Sequence, residues 1–168
     1  MTEVLRKLNR SMSTPMLGYC LNPSFSLACH LAQPKRLTHS TMKMHPLTQQ
    51  YLSECRDALS TEQARSLSAT NNWAHVNRQQ VHADWDALYK ELAPLLECRA
   101  PDSVEVQALI ERHYCLVSRF YAPSKEAYIG MSLFYGEDPA MRSFHEAHHI
   151  SMVEFLAEAI PIYAQKHL

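Results

Sequence analysis

The chain is poor in glycine. Only Gly18, Gly130 and Gly136 occur in 168 residues, where an average usage of ~7% would supply about a dozen. Phosphate-cradling loops need several glycines for tight turns and close backbone approach, so neither a dinucleotide fingerprint nor a P-loop can be written on this chain. Asn-Gly and Asp-Gly pairs are absent too, which removes the usual signal for two-residue hairpins. Also missing is any apolar run near the ~20 residues that span a bilayer, and no Cys-x-x-Cys pair marks a zinc or redox site. The five cysteines (Cys20, Cys29, Cys55, Cys98, Cys115) are odd in number and widely spaced, and they read as reduced thiols of a cytoplasmic protein. No membrane partner and no cofactor are implied.

Charge is balanced overall at −1 but unevenly spread. Residues 1–43 carry Arg6, Lys7, Arg10, Lys35, Arg36 and Lys43 against Glu3 alone, so their net charge is +5 and that of the remainder is −6. An acidic folded part repels phosphate backbones, so direct nucleic-acid binding is not expected of it. Residues 1–43 show no sustained periodicity and no continuous apolar stretch of a signal peptide. They read as a disordered leader, or as an extension ahead of a true start at Met42 or Met44, rather than as a targeting segment.

The rest, residues 44–168, reads as one all-α domain of five to six helices. Ser60-Thr61-Glu62-Gln63 has the form of a capping box and predicts a helix start. Apolar residues at helical spacing from Trp73 through Val76, Val81, Trp85, Leu88, Tyr89 and Leu92 predict one long helix over about 72–93, closed by Pro94. Asp102-Ser103-Val104-Glu105 opens another, whose apolar stripe runs from Val106 to Phe120 and Tyr121. Pro123-Ser124 caps a helix to about Tyr135. Asp138 as N-cap with Pro139 at the first position starts a short helix to about His148. Ser151-Met152-Val153-Glu154 starts the last helix, which Pro161 should kink or end early.

The run Trp85, Leu88, Glu91-Leu92, then Glu105 to Leu109 and Arg112-His113, then Phe120-Tyr121, Phe134-Tyr135 and Phe155-Leu156 with Ala159-Ile160, resembles the TipAS antibiotic-recognition domain. The resemblance covers about residues 85–164, with Asn72-Trp73 falling in a lid region. It implies a globin-like bundle around a deep cleft for a bulky small-molecule or peptide antibiotic, with residues 46–84 as lid and 85–168 as core. In MerR-type regulators such a domain is the effector half, and it also occurs alone as a drug-binding protein. Residues 1–43 are too short and irregular for a winged helix and coiled coil, so a stand-alone capture domain without a DNA-reading half is expected. The resemblance further implies, for thiopeptide-binding members, a cysteine on the helix matching residues 124–135 that captures dehydroamino-acid ligands. This chain departs from that pattern, with Gly130 at the matching place.

The ligand-binding candidates are Trp85, Tyr89, His113, Phe120, Tyr121, Tyr128, Met131, Phe134 and Tyr135. Each taken singly is more readily a core residue, because aromatic side chains dominate burial in small helical domains. As a group they suit a mostly apolar wall with a few polar handles, which a cavity of about 300 Å³ or more would make a ligand site. The competing chemistry is His145-Glu146-Ala147-His148-His149, an H-E-x-x-H pattern in which His145 and His149 would hold zinc and Glu146 would activate water. It needs a third ligand from Glu154, Glu158 or His167, and Ser151 as N-cap puts a helix boundary where His149 should be firm. A zinc hydrolase, or a helical protein-interaction module, is therefore the alternative to a non-enzymatic binding domain.

Overall fold

The computed structural model describes residues 47–168, so the expectations for residues 1–43 lie outside it. The described residues are all helical: α1 (Gln49–Ala69), α2 (Arg78–Leu92), α3 (Val104–Val117), α4 (Lys125–Glu137), α5 (Pro139–Glu146) and α6 (Met152–His167), with a single 3-10 turn, Ala93–Leu95, after α2.

Three of the predicted caps are in place. Ser103 accepts from the Val106 N–H, Ser124 from Ala127, and Asp138 from Ala140 and Met141 with Pro139 following. Each satisfies backbone donors that a helix start leaves bare. Ser151 also stands at a helix start, but its side chain makes no capping bond.

Four sequence expectations need correction. Ser60 to Gln63 do not start a helix; they lie inside α1, which Thr48 caps through the Tyr51 N–H. The stripe Cys55, Leu59, Gln63 is buried at i, i+4, i+8, and this continuous face holds the helix through the Ser-Thr pair. The helix read over 72–93 starts only at Arg78, because residues 70–76 form a turn and Asn77 caps the helix through the Gln80 N–H. Phe120 and Tyr121 lie beyond the end of α3 at Val117. Pro161 neither ends nor shortens α6, which continues to His167 with Pro161 itself buried.

α4 is the central element, packed against α1, α5 and α6, while α3 joins α2 to α6. It buries eight of its 13 residues, among them Tyr128, Ile129 and Gly130. Where α1 crosses it, a Cβ on Gly130 would stand 2.2 Å from the Cys55 carbonyl oxygen, so only glycine allows this approach. Polar ties border the contact: the Tyr51 hydroxyl donates to Glu126 (3.3 Å), Glu62 accepts from the Ser124 backbone N–H (3.1 Å), and Arg56 pairs with Glu137 (2.6 Å). The cleft described next lies between this central helix, α2 and α5.

Candidate functional site

One face of α2 presents Arg78, Val81, His82 and Trp85 to a half-open cleft, positions that share a side at helical spacing. Opposite stand Met131 and Tyr135 of α4 and Met141, Phe144 and His145 of α5. Val117, Phe120 and Tyr121 close one end, and Gln63 with Trp73 covers another side. The lining is apolar almost throughout, with Arg78 exposed at the rim and His145 only 1% exposed. The cavity volume is about 80 Å³, so the expected cavity of about 300 Å³ or more is not met in this form, and by that measure alone the helical interaction module is favoured. Entry of a large ligand thus requires some part of the lining to move.

Trp73 is the lining residue with the most unusual backbone. Asn71, Asn72 and Trp73 have φ of 48°, 58° and 59°, the only positive values at non-glycine residues in the described chain. A left-handed turn costs an L-residue roughly 1–2 kcal/mol, least for asparagine, and here an indole is held in it. What offsets that cost is burial: Trp73 is 2% exposed. Its Nε1–H donates to Ser66 Oγ at 2.9 Å. Its ring meets Phe120 edge-on (5.1 Å between centroids) and stacks on Tyr121 (6.4 Å, 9°). Arg78 donates to the Asn72 carbonyl (3.2 Å) and so ties this turn to the start of α2.

Of the sequence candidates, Trp85, Phe120, Tyr121, Met131 and Tyr135 come together on the cleft wall. Tyr89, His113, Tyr128 and Phe134 are placed in the core instead. Tyr89 lies one turn past Trp85 on the same α2 stripe, fully buried beside His113, His145 and His148. His113 and Tyr128 form a closed network. The His113 Nδ1–H donates to Tyr128 Oη (2.8 Å), Tyr128 donates to the Ile110 carbonyl (3.3 Å), and the Tyr135 hydroxyl donates to His113 Nε2 (3.4 Å). This is the proton arrangement that satisfies every member with a neutral imidazole. Burial holds the His113 pKa down to about 3 and pushes those of Tyr128 and Tyr135 well above the usual phenol value.

Trp73, Gln63, Arg78, Val81, His82, Val117, Met141, Phe144 and His145 were not among the sequence candidates for ligand binding. Met141, Phe144 and His145 do carry a sequence signal, an i, i+3, i+4 stripe on one short helix. The sequence places Trp73 in the expected lid region, but nothing local predicts a buried indole on a left-handed turn.

The H-E-x-x-H residues are dispersed. α5 ends at Glu146. His145 is buried where it lines the cleft, Glu146 pairs with Arg142 (2.7 Å), and His149 accepts from the Ser151 N–H (3.2 Å) while facing Glu97 (3.6 Å). Glu154 is also engaged by Arg142 (2.7 Å) and His167 stacks on Tyr163. Among the described residues no group of three or more His, Cys, Asp or Glu could hold a metal ion. The paired-histidine geometry that zinc chemistry needs is thus not built. Among the described residues no helix is long and apolar enough to cross a membrane.

No curated protein and no solved structure matches the chain. The model of the TipAS antibiotic-recognition domain matches residues 47–163, which takes in α1 and the Trp73 turn as well as the segment from Trp85 onward. With most of the chain matched and the helices enclosing an aromatic cleft, the protein belongs to the TipAS antibiotic-recognition domain family.

Proposed function

We propose that this is a cytoplasmic, non-enzymatic capture domain that senses or sequesters a bulky aromatic or peptide-like antibiotic in the cleft between α2, α4 and α5. The observation that carries the reading is the lining itself. Trp85, Phe120, Tyr121, Met131 and Tyr135 offer mostly apolar faces, and the polar groups among the lining are few: those of Gln63, Arg78, His82 and His145, with the unpartnered Trp85 Nε1–H and Tyr121 hydroxyl. Such a wall binds by excluded water and ring stacking and holds no nucleophile poised beside a base. Residues 46–84 act as its lid. A bulky ligand exceeds the about 80 Å³ now free, so it enters as the Trp73 turn and α1 shift. Release of the left-handed backbone at residues 71–73 offsets part of the free energy that unpacking the Trp73 ring costs.

Capture is non-covalent on this reading. A cysteine at position 130 would drive its Cβ into the Cys55 backbone, and the thiol of Cys55 is buried, with burial first and the nearby Glu126 and Glu54 also pushing its pKa up against an opposing bond from Tyr51. An unreactive thiol results. The test is titration with thiopeptide, albicidin-like and other polyaromatic antibiotics. Trp73 and Trp85, the chain's two tryptophans, both line the cleft, so saturable fluorescence quenching with a rise in melting temperature is expected at micromolar concentration. A panel that gives neither quenching nor thermal shift would overturn the reading.

A further inference from the structure

His145 is 1% exposed, and neither of its ring nitrogens meets a protein donor or acceptor. A buried polar group without a partner costs about 1–3 kcal/mol relative to a satisfied one, so the position demands a reason. On three sides the ring is walled by aromatics: Tyr135 at 4.0 Å between centroids, Phe144 at 5.2 Å and Tyr89 at 5.4 Å. The nearest of these is not available as a partner, since the Tyr135 hydroxyl is directed to His113 Nε2. The residue also lines the cleft, with both nitrogens covered in the ligand-free form, so a ligand reaches them as the lining shifts to admit it. Burial foremost, then the neighbouring His113 and His148, hold its pKa at about 3. At neutral pH the ring therefore has one N–H to donate and one bare nitrogen to accept.

We infer that His145 is the specificity-determining contact at the inner end of the cleft, and that it selects a planar aromatic ligand whose leading edge carries an uncharged hydrogen-bonding group such as a ring N–H or a hydroxyl. Planarity follows from the lining, in which Trp73, Trp85, Phe120, Tyr121, Tyr135 and Phe144 leave only a narrow space, since flat rings pack best among aromatic side chains. The uncharged edge follows from the partner, because a neutral imidazole in an apolar pocket does not offset the desolvation of a carboxylate or ammonium. Charged parts of the same ligand fit only at the mouth, where Arg78 is exposed beside His82. The inference rests on the proposed capture of a ligand in this cleft and adds which chemistry enters first.

The test uses indole and indene, two planar bicyclic molecules of nearly the same shape that differ in one N–H. Affinities are read from NMR titrations of the full chain at pH 7.5, with histidine side chains labelled with 15N. Indole is expected to bind about tenfold more tightly than indene, the factor that one satisfied hydrogen bond supplies, and to shift the His145 imidazole signals where indene leaves them in place. In His145→Leu the preference should disappear while indene still binds. If that variant does not fold, the wild-type comparison decides alone. Equal affinity of the two, or indole binding that leaves the His145 signals unmoved, would overturn the inference and leave the capture function standing. A water molecule bonded to His145 in preference to the ligand would give that outcome. Failure of both compounds to bind at millimolar concentration would overturn this inference, while the antibiotic titration still decides the capture function.

Discussion

Gly130 and Cys55 are in backbone contact: a Cβ built at position 130 would lie 2.2 Å from the Cys55 carbonyl oxygen and 2.8 Å from its carbon. Main chain cannot step aside as a flexible side chain can, so Gly130→Ala must push α1 away from α4. The expected cost is about 3 kcal/mol, the upper part of the range for overpacking. At Gly136 the added Cβ would meet Arg142 Nη2 at 3.4 Å and Val153 Cγ1 at 3.5 Å, ordinary contact distances. Gly136→Ala should therefore stabilise the protein by about 0.5–1 kcal/mol, the usual gain of alanine over glycine within a helix. Urea unfolding of both variants checks the pair, and equal effects would contradict the packing described.

Stability should fall on mild acidification. His113 and His145 have pKa values held at about 3 in the folded protein, chiefly by burial, against about 6.5 when unfolded. Between these values the unfolded chain binds more protons, so the stability present above pH 6.5 is lost as pH drops towards 3. Between pH 7.5 and pH 5 each histidine contributes a loss of about 2 kcal/mol. Urea midpoints measured at the two pH values test this, and a flat profile would count against a neutral, buried pair.

Tyr128→Phe should destabilise without opening the cleft. It removes the acceptor of the His113 Nδ1–H and the donor to Ile110, leaving a buried imidazole unsatisfied at about 1–3 kcal/mol. Because Tyr128 is fully buried and does not line the cleft, quenching of tryptophan by any ligand found should be unchanged. Tyr121→Ala should show the reverse balance, since Tyr121 is half-buried on the cleft wall against Trp73.

Amide hydrogen exchange should divide the chain near Trp85. α1 buries only Cys55, Leu59 and Gln63 of its 21 residues, whereas α6 buries nine of 16. Less buried surface per ordered residue means a smaller free energy of local opening. Residues 47–84 are therefore expected to exchange faster than 85–164 in the ligand-free protein and to gain protection when a ligand binds. Equal protection of the two parts without ligand would argue against a lid.

Where the sequence was legible, the signal was local. The starts of α3, α4 and α5 follow from Ser103, Ser124 and Asp138, since a cap is a bond to a backbone N–H two or three residues away. The all-helical class follows from periodic apolar stripes and from the glycine-poor composition. Ser60-Thr61 carries the same local signal and is overridden, because the face Cys55–Leu59–Gln63 packs on a helix some 70 residues later in the chain. No local pattern reports that contact.

The cleft divides in the same way. Helical spacing placed Trp85 and Tyr89 on one stripe and Tyr128, Met131 and Tyr135 on another. Which end of each stripe faces open space and which meets a neighbour depends on how the helices are rotated and offset, and packing against distant elements sets both. Tyr89 and Tyr128 thus fill the core while Trp85, Met131 and Tyr135 line the cleft. Composition and periodicity determined that helices with aromatic faces would form. Only the tertiary structure decided that Trp73 would line the cleft from a left-handed turn and that His145 would line it with both nitrogens buried and unpaired, because both depend on contacts between residues that are neighbours in space alone.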